Sequence, residues 1–271
     1  MQVEDVAASC KGLVKIYSSA TGEVHALKGI DATFHYGAVT TVVGPSGSGK
    51  SSLLRILAGM DEPTAGSVIV SGSDITDLSA RNLRALRRKH IGYVFQRPSD
   101  NLIPYLTAWE HMKLAARLRG HRRVNDAYEI LEALGIYERI DHKPNQLSGG
   151  EQQRLAFAQA LMGGPKMIVA DEPTAELDSV SSAALLGEIS NLARRGIAFV
   201  VSTHDQQVVQ SADRSLHLRH GNLEVETDEG MTLAVIDSSG RVQLPQESLK
   251  MFPRRRAVIH VEDGEVRITP P

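Results

Sequence analysis

One segment of this sequence constrains the fold more than any other: Gly44-Pro45-Ser46-Gly47-Ser48-Gly49-Lys50-Ser51. An apolar run typical of a buried strand, residues 38–43, precedes it, and a helical pattern, residues 51–58, follows it. A glycine-rich turn in this position, ending in Gly-Lys-Ser, is typical of a phosphate-binding loop. Its glycines allow backbone N–H groups to converge on a phosphate beside the positive end of the helix dipole. The alternative is an ordinary glycine-rich turn that happens to contain a lysine, but it would not explain why a strand precedes the turn and a helix follows it.

Four side chains have the chemistry that hydrolysis of a nucleoside triphosphate requires. Lys50 would neutralise charge on the β- and γ-phosphates, and the Ser51 hydroxyl would ligate Mg²⁺. A second apolar run, Met167–Ala170, ends in Asp171 and Glu172. Asp171 would hold Mg²⁺ through its water shell, and Glu172 would polarise the attacking water as a general base. An acidic strand end that only caps the next helix is the alternative, and the phosphate-binding loop makes it weak.

The order of apolar runs and helical patterns predicts an α/β core. Continuous β-branched runs at residues 167–170 and 197–202 are typical of strands buried on both faces, as in a parallel sheet. A helical pattern at residues 181–194 separates them, and this βαβ rhythm indicates a doubly wound fold. The stretch Asp77–Tyr137 is mostly helical in pattern, with a loop at Pro98 and Pro104, and we expect a helical subdomain inserted into the core.

Length and composition limit the remaining choices. The 271 residues suit one large domain with a small appendage. Cys10 is the single cysteine, which excludes an intramolecular disulfide and fits a reducing compartment. The longest apolar runs are too short to cross a bilayer, so we expect a cytoplasmic chain whose membrane role comes from a partner. The formal net charge of -2 gives no reason to expect nucleic acid as a partner.

The segment Leu147-Ser148-Gly149-Gly150-Glu151-Gln152-Gln153-Arg154, before a helical run, carries a family resemblance. It resembles the L-S-G-G-x-Q signature of the ATP-binding subunits of ABC transporters. The resemblance implies an ABC ATPase of the P-loop NTPase class, with ATP and Mg²⁺ as cofactors. It also implies that Ser148, Gly149 and Gly150 complete the ATP site of an opposite subunit, so that two copies form a homodimer around two ATP molecules. A flexible serine-glycine turn with an N-cap is the alternative.

Other residues match the family's motifs in the expected order across Val6–Leu223. By resemblance, Tyr17 would stack on adenine, although a core tyrosine is the alternative, and Ser52 would join the nucleotide site. Gln96 would sense Mg²⁺ and water where the core meets the helical subdomain. Asp178 would contact the other subunit, although Glu176 stands where the family often has a small residue. His204 would hydrogen-bond the γ-phosphate, at the carboxyl end of a strand where α/β ligands bind.

Within the family, four segments are similar to the subgroup that serves lipoprotein release, macrolide export and FtsE-type cell division: residues 60–66, 86–88, 91–96 and 101–107. The resemblance implies a peripheral subunit at the inner face of the cell membrane, driving a permease with four membrane helices. The permease's cytoplasmic helix would dock on Arg97–His111, interpreted as helix-rich. A cell-division type of ATPase that moves a membrane partner without transport is the alternative function. A soluble ATPase acting on DNA or ribosomes is disfavoured, because coiled-coil insertions and a tandem copy are absent.

After Asn222 the sequence pattern changes from alternating strands and helices to short predicted strands. We place a boundary near Asp228, which separates an ATPase domain, residues 1–227 with its helical subdomain at about 97–160, from a small β module, residues 228–271. Predicted strands are residues 232–236, 241–244, 257–261 and 265–269, with turns at Ser238–Gly240 and Asp263-Gly264 and a helix near 246–251. Within it, residues 235–247 resemble the swapped-hairpin β module of AbrB-type regulators, which pairs two chains into one barrel. Those regulators often bind DNA, and Arg254–Arg256 is compatible with that, but a basic triplet is more often a solvated turn. The resemblance therefore favours a dimerising or regulatory role for the module.

Overall fold

The computed structural model describes residues 5–19, 22–120, 124, 126–228, 231–236, 242, 248, 250–252, 256–262 and 265–271. Its strands are β1 (Val6–Ser19), β2 (Gly22–His35), β3 (Val39–Val43), β4 (Ala65–Val70), β5 (Ser73–Asp74), β6 (Ile91–Val94), β7 (Met167–Asp171), β8 (Ala198–Thr203), β9 (Arg214–Arg219), β10 (Asn222–Asp228), β11 (Met231–Ala234), β12 (Val258–Glu262) and β13 (Glu265–Thr269). Its α-helices are α1 (Lys50–Leu57), α2 (Ala80–His90), α3 (Ala108–Leu118), α4 (Asp126–Ala133), α5 (Gly149–Leu161), α6 (Ser179–Arg194) and α7 (Gln206–Gln210).

The β-branched runs form the central sheet, whose strand order in the described chain is β11-β10-β9-β3-β8-β7-β6. The strands from β9 to β6 pair in parallel, whereas β10 and β11 add to the β9 edge in antiparallel fashion. Residues of β7 and β8 are buried throughout, because helices or the second sheet cover both faces. The predicted α/β class is confirmed, and the carboxyl ends of β3, β7 and β8 meet at one edge of the sheet.

A second, antiparallel sheet has the order β2-β1-β4-β5. Helix α1 lies between the two sheets and buries Leu53, Leu54, Ile56 and Leu57. These side chains share one core with residues of the antiparallel sheet, among them Ile30 and Phe34. A second core cluster joins α3, α4 and α5 to the other face of the central sheet, and Phe157 and Phe199 stack within it. Apolar packing on both sides therefore fixes the phosphate-binding loop at the start of α1.

Two expectations about the middle of the chain are wrong. The stretch 77–137 was predicted to be mostly helical, but residues 91–94 form β6, which pairs with β7 at the edge of the central sheet. Helix α2 and β6 therefore belong with the sheet. The segment Arg97–His111 was interpreted as helix-rich, yet it holds one 3-10 turn, Pro98–Asp100, and a loop, before α3 begins at Ala108. The two prolines and the Thr107 capping box explain the late helix start.

The C-terminal strands lie near the predicted positions. β11 pairs with β10 and so extends the central sheet past residue 228, while β12 and β13 form a separate antiparallel pair. The division at residue 228 stays a prediction. The turns at 238–240 and 263–264, most of the strand 241–244, most of the helix near 246–251, and Arg254 and Arg255 lie outside the described residues. No helix in the described ranges has the length and apolar character needed to span a membrane.

Candidate functional site

The backbone of the phosphate-binding loop requires glycine at two positions. Gly44 has φ 157° and Gly49 has φ 107°, and Gly49 caps the start of α1. A Cβ at Gly44 would lie 2.1 Å from the carbonyl oxygen of Leu218, and a Cβ at Gly49 would lie 2.4 Å from that of Ala26. Neither contact is tolerable for a real side chain, so the neighbouring backbone permits only glycine here. The close approach of three backbone segments shapes the loop around the helix start.

The Lys50 ammonium is held inside the loop. It donates to the carbonyl oxygens of Gly44 at 2.8 Å and Pro45 at 3.1 Å, and the residue is only 8% exposed. A lysine tethered in this way is a pre-placed positive charge on the concave side of the loop. Phosphate oxygens are the complementary ligand, because the surrounding N–H groups also carry partial positive charge.

The two acidic residues at the end of β7 both form hydrogen bonds with Ser202 of the neighbouring strand β8. The Ser202 hydroxyl donates a short hydrogen bond to Asp171 Oδ1. The same hydroxyl accepts from the backbone N–H of Glu172 at 3.0 Å, and the Ser202 carbonyl accepts from that N–H at 3.1 Å. Glu172 has a positive φ of 46°, which is uncommon for a residue with a side chain. Sequence reasoning missed Ser202, because no motif indicates which strand lies beside β7.

Glu172 is also joined to His204. Glu172 Oε2 lies 2.9 Å from His204 Nδ1, and the glutamate is largely buried while the histidine is exposed. The pair forms because β7 and β8 are adjacent and parallel, so that residues following their carboxyl ends meet. A carboxylate held beside an imidazole at the edge of a cleft can accept a proton from water.

Tyr17 lies on the other side of the loop, and its environment is polar. Its hydroxyl donates to Asp61 Oδ2 at 2.7 Å and lies 3.3 Å from Ser52 Oγ, while Lys15 Nζ lies 4.7 Å from the ring centroid and 2.7 Å from Asp61 Oδ1. Burial and the Asp61 carboxylate raise the pKa of the Tyr17 hydroxyl. Burial acts to raise the pKa of Asp61, but the hydrogen bonds from Lys15 and Tyr17 outweigh it and lower that pKa.

The phosphate-binding loop, the two acidic residues, His204 and Tyr17 line one cleft of about 590 Å³. Of the residues expected at the nucleotide, the cleft lining includes Tyr17, Gly44, Pro45, Ser46, Gly47, Gly49, Lys50, Ser51, Ser52, Gln96, Asp171, Glu172 and His204. Ser48 is buried behind the loop and does not line it. Val24 and Ala26 also line the cleft, and sequence reasoning missed them because β2 was not predicted. A hydroxyl, a carboxylate and an amide oxygen, from Ser51, Asp171 and Gln96, fit Mg²⁺, which prefers hard oxygen ligands.

The remaining expected residues lie outside this cleft. Ser148 caps α5, accepting from Glu151 N at 3.2 Å, while Ser148 N donates to Glu151 Oε2 at 2.8 Å. The hydrogen bond from Ser148 N has the largest effect on the pKa of Glu151 and lowers it. The bond from Arg139 at 2.8 Å lowers the same pKa further. Asp178 caps α6 by accepting from the N–H of Ser181 at 2.8 Å, and this bond lowers its pKa.

Gly149 and Gly150 pack against the loop that leads to Asp178. A Cβ at Gly149 would lie 3.8 Å from the carbonyl oxygen of Glu176, and a Cβ at Gly150 would lie 3.0 Å from Leu177 Cδ2. The start of α5 and the start of α6 therefore form one continuous surface apart from the cleft.

A strand, a phosphate-binding loop, a helix and two acidic residues at a neighbouring strand end define a P-loop nucleotide triphosphatase. The family model described as "ABC transporter" matches residues 27–175, and the chain belongs to this family. It is an ATP-hydrolysing P-loop protein with ATP and Mg²⁺ as its cofactors, as the sequence predicted.

Several known proteins are similar to this chain. The lipoprotein-releasing system ATP-binding protein LolD of Bacteroides fragilis is 41% identical over 206 residues, which are 74% of this chain and 94% of that protein. The macrolide export ATP-binding/permease protein MacB of Bdellovibrio bacteriovorus is 36% identical over 255 residues, 94% of this chain. The chain spans only 39% of that protein's length. An ATP-binding cassette solved as a post-hydrolysis dimer with ADP and Pi has 36% identity and a TM-score of 0.77, covering 82% of this chain and 98% of that chain.

Proposed function

We propose that this chain is the ATP-hydrolysing subunit of an ABC transporter, and that two copies close around two ATP molecules to drive a separate membrane permease. One observation carries the proposal: some of the expected nucleotide residues line the cleft, whereas Ser148, Gly149, Gly150 and Asp178 do not, and a second copy could supply those four. Similarity to ATP-binding proteins of lipoprotein release and macrolide export supports export of a lipid-linked or hydrophobic cargo. We expect the chain to lie peripherally at the inner face of the cell membrane.

The chemistry follows from the cleft. Lys50 and the N–H groups of the loop would hold the β- and γ-phosphates, and Ser51, Asp171 and Gln96 would hold Mg²⁺. Magnesium held there would supply positive charge that offsets the negative charge of the phosphates. Glu172 would accept the proton of the attacking water, and His204, held to it at 2.9 Å, would orient that carboxylate and contact the γ-phosphate. Most of the catalysis would come from positioning and charge neutralisation, as is general for phosphoryl transfer.

The second copy would bring the surface at the start of α5. Ser148, Gly149 and Gly150 lie at a helix N-terminus, where the first backbone N–H groups have no carbonyl partner within the helix and favour an anion. Asp178, capping the adjacent α6, would contact the facing subunit. Two-fold symmetry would then build two equal ATP sites from both chains. ATP would bridge the two subunits, and loss of the γ-phosphate on hydrolysis would let the dimer open.

The membrane partner would dock on Arg97–His111, and the structure adds detail to that prediction. Buried His111 ties this segment together: its Nε2 accepts from Ile103 N at 2.8 Å, and its Nδ1 lies 2.7 Å from the Thr107 carbonyl oxygen. The loop presents Tyr105, which is 72% exposed. A side chain this large on a braced loop is suited to insertion into a partner surface.

A basic groove of about 380 Å³ lies between the end of α1, α2, β6 and the end of α3. Its lining includes Arg84, Arg87, Arg88 and Arg119, and no carboxylate of a described residue forms an ion pair with any of them. Burial lowers the pKa of Arg87 and of Arg119. Acidic side chains of a permease's cytoplasmic segment would complement this charge.

Glu172→Gln tests the core of the proposal. It keeps the size of the side chain and removes the base, so ATP turnover should fall roughly 10²–10⁴-fold while ATP binding is retained. With Mg-ATP, the variant should sediment as a dimer, and adding Ser148→Ala should reduce that dimer. A variant that hydrolyses ATP at the wild-type rate would refute the base assignment, and a strictly monomeric Mg-ATP complex would refute the shared site.

The docking surface has its own test. Tyr105→Ala should leave basal ATPase unchanged and lower the additional turnover measured when the cognate permease is present in liposomes. Tyr137→Ala, a change at another exposed tyrosine outside the segment, is the matched control. Equal loss in both variants would remove the special role of residues 97–111. If the permease stimulates turnover without moving any cargo, the non-transporting alternative holds.

The AbrB-like identity of residues 228–271 also remains a proposal. The strand pair β12–β13 agrees with a small β module, and DNA binding through it is not expected.

A further inference from the structure

A two-residue turn, His220-Gly221, joins β9 to β10 next to the phosphate-binding loop. Both residues have positive φ, 50° at His220 and 82° at Gly221, as in a type I′ hairpin turn. Arg219 and Asn222 pair with each other on either side of the turn. His220 is exposed and Gly221 is buried, and neither residue lines the cleft.

The backbone of Gly221 connects the phosphate-binding loop to the wall of the cleft. Its N–H donates to the carbonyl oxygen of Ser48, a residue of the loop, at 3.1 Å. Its own carbonyl oxygen accepts from Lys28 N at 2.8 Å. Lys28 lies on β2, and two other residues of that strand, Val24 and Ala26, line the cleft. One residue of the turn is therefore bonded both to the loop and to the strand beside it.

The turn fits against β2 because residue 221 is glycine. A Cβ at this position would lie 2.9 Å from the carbonyl oxygen of Ala26 and 3.3 Å from that of His25. The first distance is shorter than a real side chain tolerates, so an alanine at residue 221 would displace the turn or the strand. The same Ala26 carbonyl oxygen would lie 2.4 Å from a Cβ at Gly49. It therefore lies between the turn and the start of α1.

The bond from Gly221 to Ser48 fixes the orientation of one peptide group of the loop. In a trans peptide the carbonyl of one residue and the N–H of the next point in opposite directions. Because the Ser48 carbonyl points to Gly221, the N–H of Gly49 points to the other side of the loop. Gly49 lines the cleft, whereas Ser48 is buried and does not. The bond therefore directs the N–H of Gly49 toward the cleft, where its partial positive charge favours a phosphate.

We propose that Gly221 is a positioning residue for nucleotide binding: by holding the Ser48 carbonyl, it aims the N–H of Gly49 at the phosphates. Gly221 would not touch the nucleotide and would act only through the loop. This role rests on the proposed binding of the β- and γ-phosphates by the loop. A loop whose donors are already oriented loses little conformational freedom when it binds its ligand. Displacing the turn should therefore lower the affinity for nucleotide more than the rate at which bound ATP is hydrolysed.

Calorimetric binding of ADP in the presence of Mg²⁺ is the first test, because ADP carries the β-phosphate and is not hydrolysed. Gly221→Ala should raise the Kd for ADP about tenfold or more. Gly72→Ala is the matched control. Ser71 and Gly72, with φ of 48° and 77°, form the same kind of turn between β4 and β5, but among the described residues nothing lies within 4 Å of a Cβ at Gly72. Both variants place a side chain at positive φ, yet Gly72→Ala should bind ADP as the wild type does. Equal Kd values in the two variants would overturn the proposal.

A second pair of variants keeps Gly221 and decides the matter if Gly221→Ala does not fold. His220→Val places a β-branched side chain at positive φ and strains the turn, whereas asparagine in His220→Asn tolerates this conformation. The His220 side chain is exposed and outside the cleft, so a change in affinity has to be transmitted by the backbone. His220→Val should bind ADP severalfold more weakly than His220→Asn, which should match the wild type. Equal affinity of these two variants for ADP would contradict the positioning role.

Steady-state kinetics and a loop variant distinguish this role from the proposed function. Gly221→Ala should raise the KM for ATP about tenfold and leave kcat within about twofold of the wild type, and a loss confined to kcat would refute the positioning role. Lys50→Ala alters the loop itself and should abolish ADP binding. If Lys50→Ala binds ADP as the wild type does, the proposed function fails. If Lys50→Ala loses ADP binding while Gly221→Ala keeps wild-type affinity, only the role of Gly221 fails.

Discussion

Replacing Ser202 by alanine probes how the site is held together. Its hydroxyl donates to Asp171 Oδ1 and accepts from Glu172 N. The N–H of Glu172 keeps the Ser202 carbonyl at 3.1 Å, so the variant loses mainly the bond to the carboxylate. A hydrogen bond to a charged group contributes about 1.5–3 kcal/mol, and we expect the free energy of unfolding to fall by about that amount. Groups that orient a metal-binding carboxylate typically affect metal affinity by about 10–100-fold.

The measurement is ATPase rate against Mg²⁺ concentration, with urea unfolding in parallel. Ser202→Ala should need about 10–100-fold more Mg²⁺ for half-maximal rate. Ser215→Ala is the matched control, because Ser215 is also buried in the sheet and bonds the Thr41 hydroxyl at 2.7 Å, away from the carboxylates. It should lose about 0.5–1.5 kcal/mol of stability with no change in Mg²⁺ dependence. If the two variants show the same Mg²⁺ curve, Ser202 does not position Asp171.

Two further predictions concern the loop and the tyrosine. Gly49→Ala should unfold at a clearly lower urea concentration than Gly47→Ala. A Cβ at Gly49 would lie 2.4 Å from a backbone carbonyl oxygen, whereas a Cβ at Gly47 would have nothing within 4 Å. Equal stability of the two variants would refute the close approach at Gly49. Asp61→Ala removes the acceptor of the Tyr17 hydroxyl. The loss of about 1 kcal/mol of binding free energy should raise the KM for ATP about fivefold and leave kcat unchanged. Steady-state kinetics at saturating Mg²⁺ measure both constants, and a fall in kcat would contradict the prediction.

The cleft could be predicted from the sequence because its residues belong to contiguous motifs. A phosphate-binding loop requires its glycines locally, and the strand ends that carry Asp171 and His204 are recognisable as apolar runs. Parallel order then brings those ends together. Ser202 and Asp61 escaped prediction because their importance depends on which strands and loops become neighbours. A serine within a strand and an aspartate in a loop after a helix have many ordinary explanations.

The antiparallel sheet was missed for a different reason. β1 and β2 are long, twisted strands with register shifts, and their exposed and buried residues do not alternate cleanly. Periodicity therefore gives little signal there. β6 was absorbed into a helical pattern because its four residues are fewer than the window over which helical and strand periodicity can be separated. In both cases the local sequence pattern was a poor guide, because pairing with distant strands decides whether such a segment becomes a strand.

The start of α5 shows why serine suits the proposed shared site. As the N-cap, Ser148 accepts a hydrogen bond from Glu151 N, and asparagine or aspartate would serve that purpose equally well. Aspartate would place a negative charge where a γ-phosphate is proposed to bind. A hydroxyl has one proton to donate and lone pairs to accept with, so serine can cap its own helix and donate to a phosphate at the same time. Arg139 adds positive charge close by and holds Glu151 in the capping position. If the proposed shared site forms, Ser148 would cap its own helix and bind the partner's nucleotide at the same time.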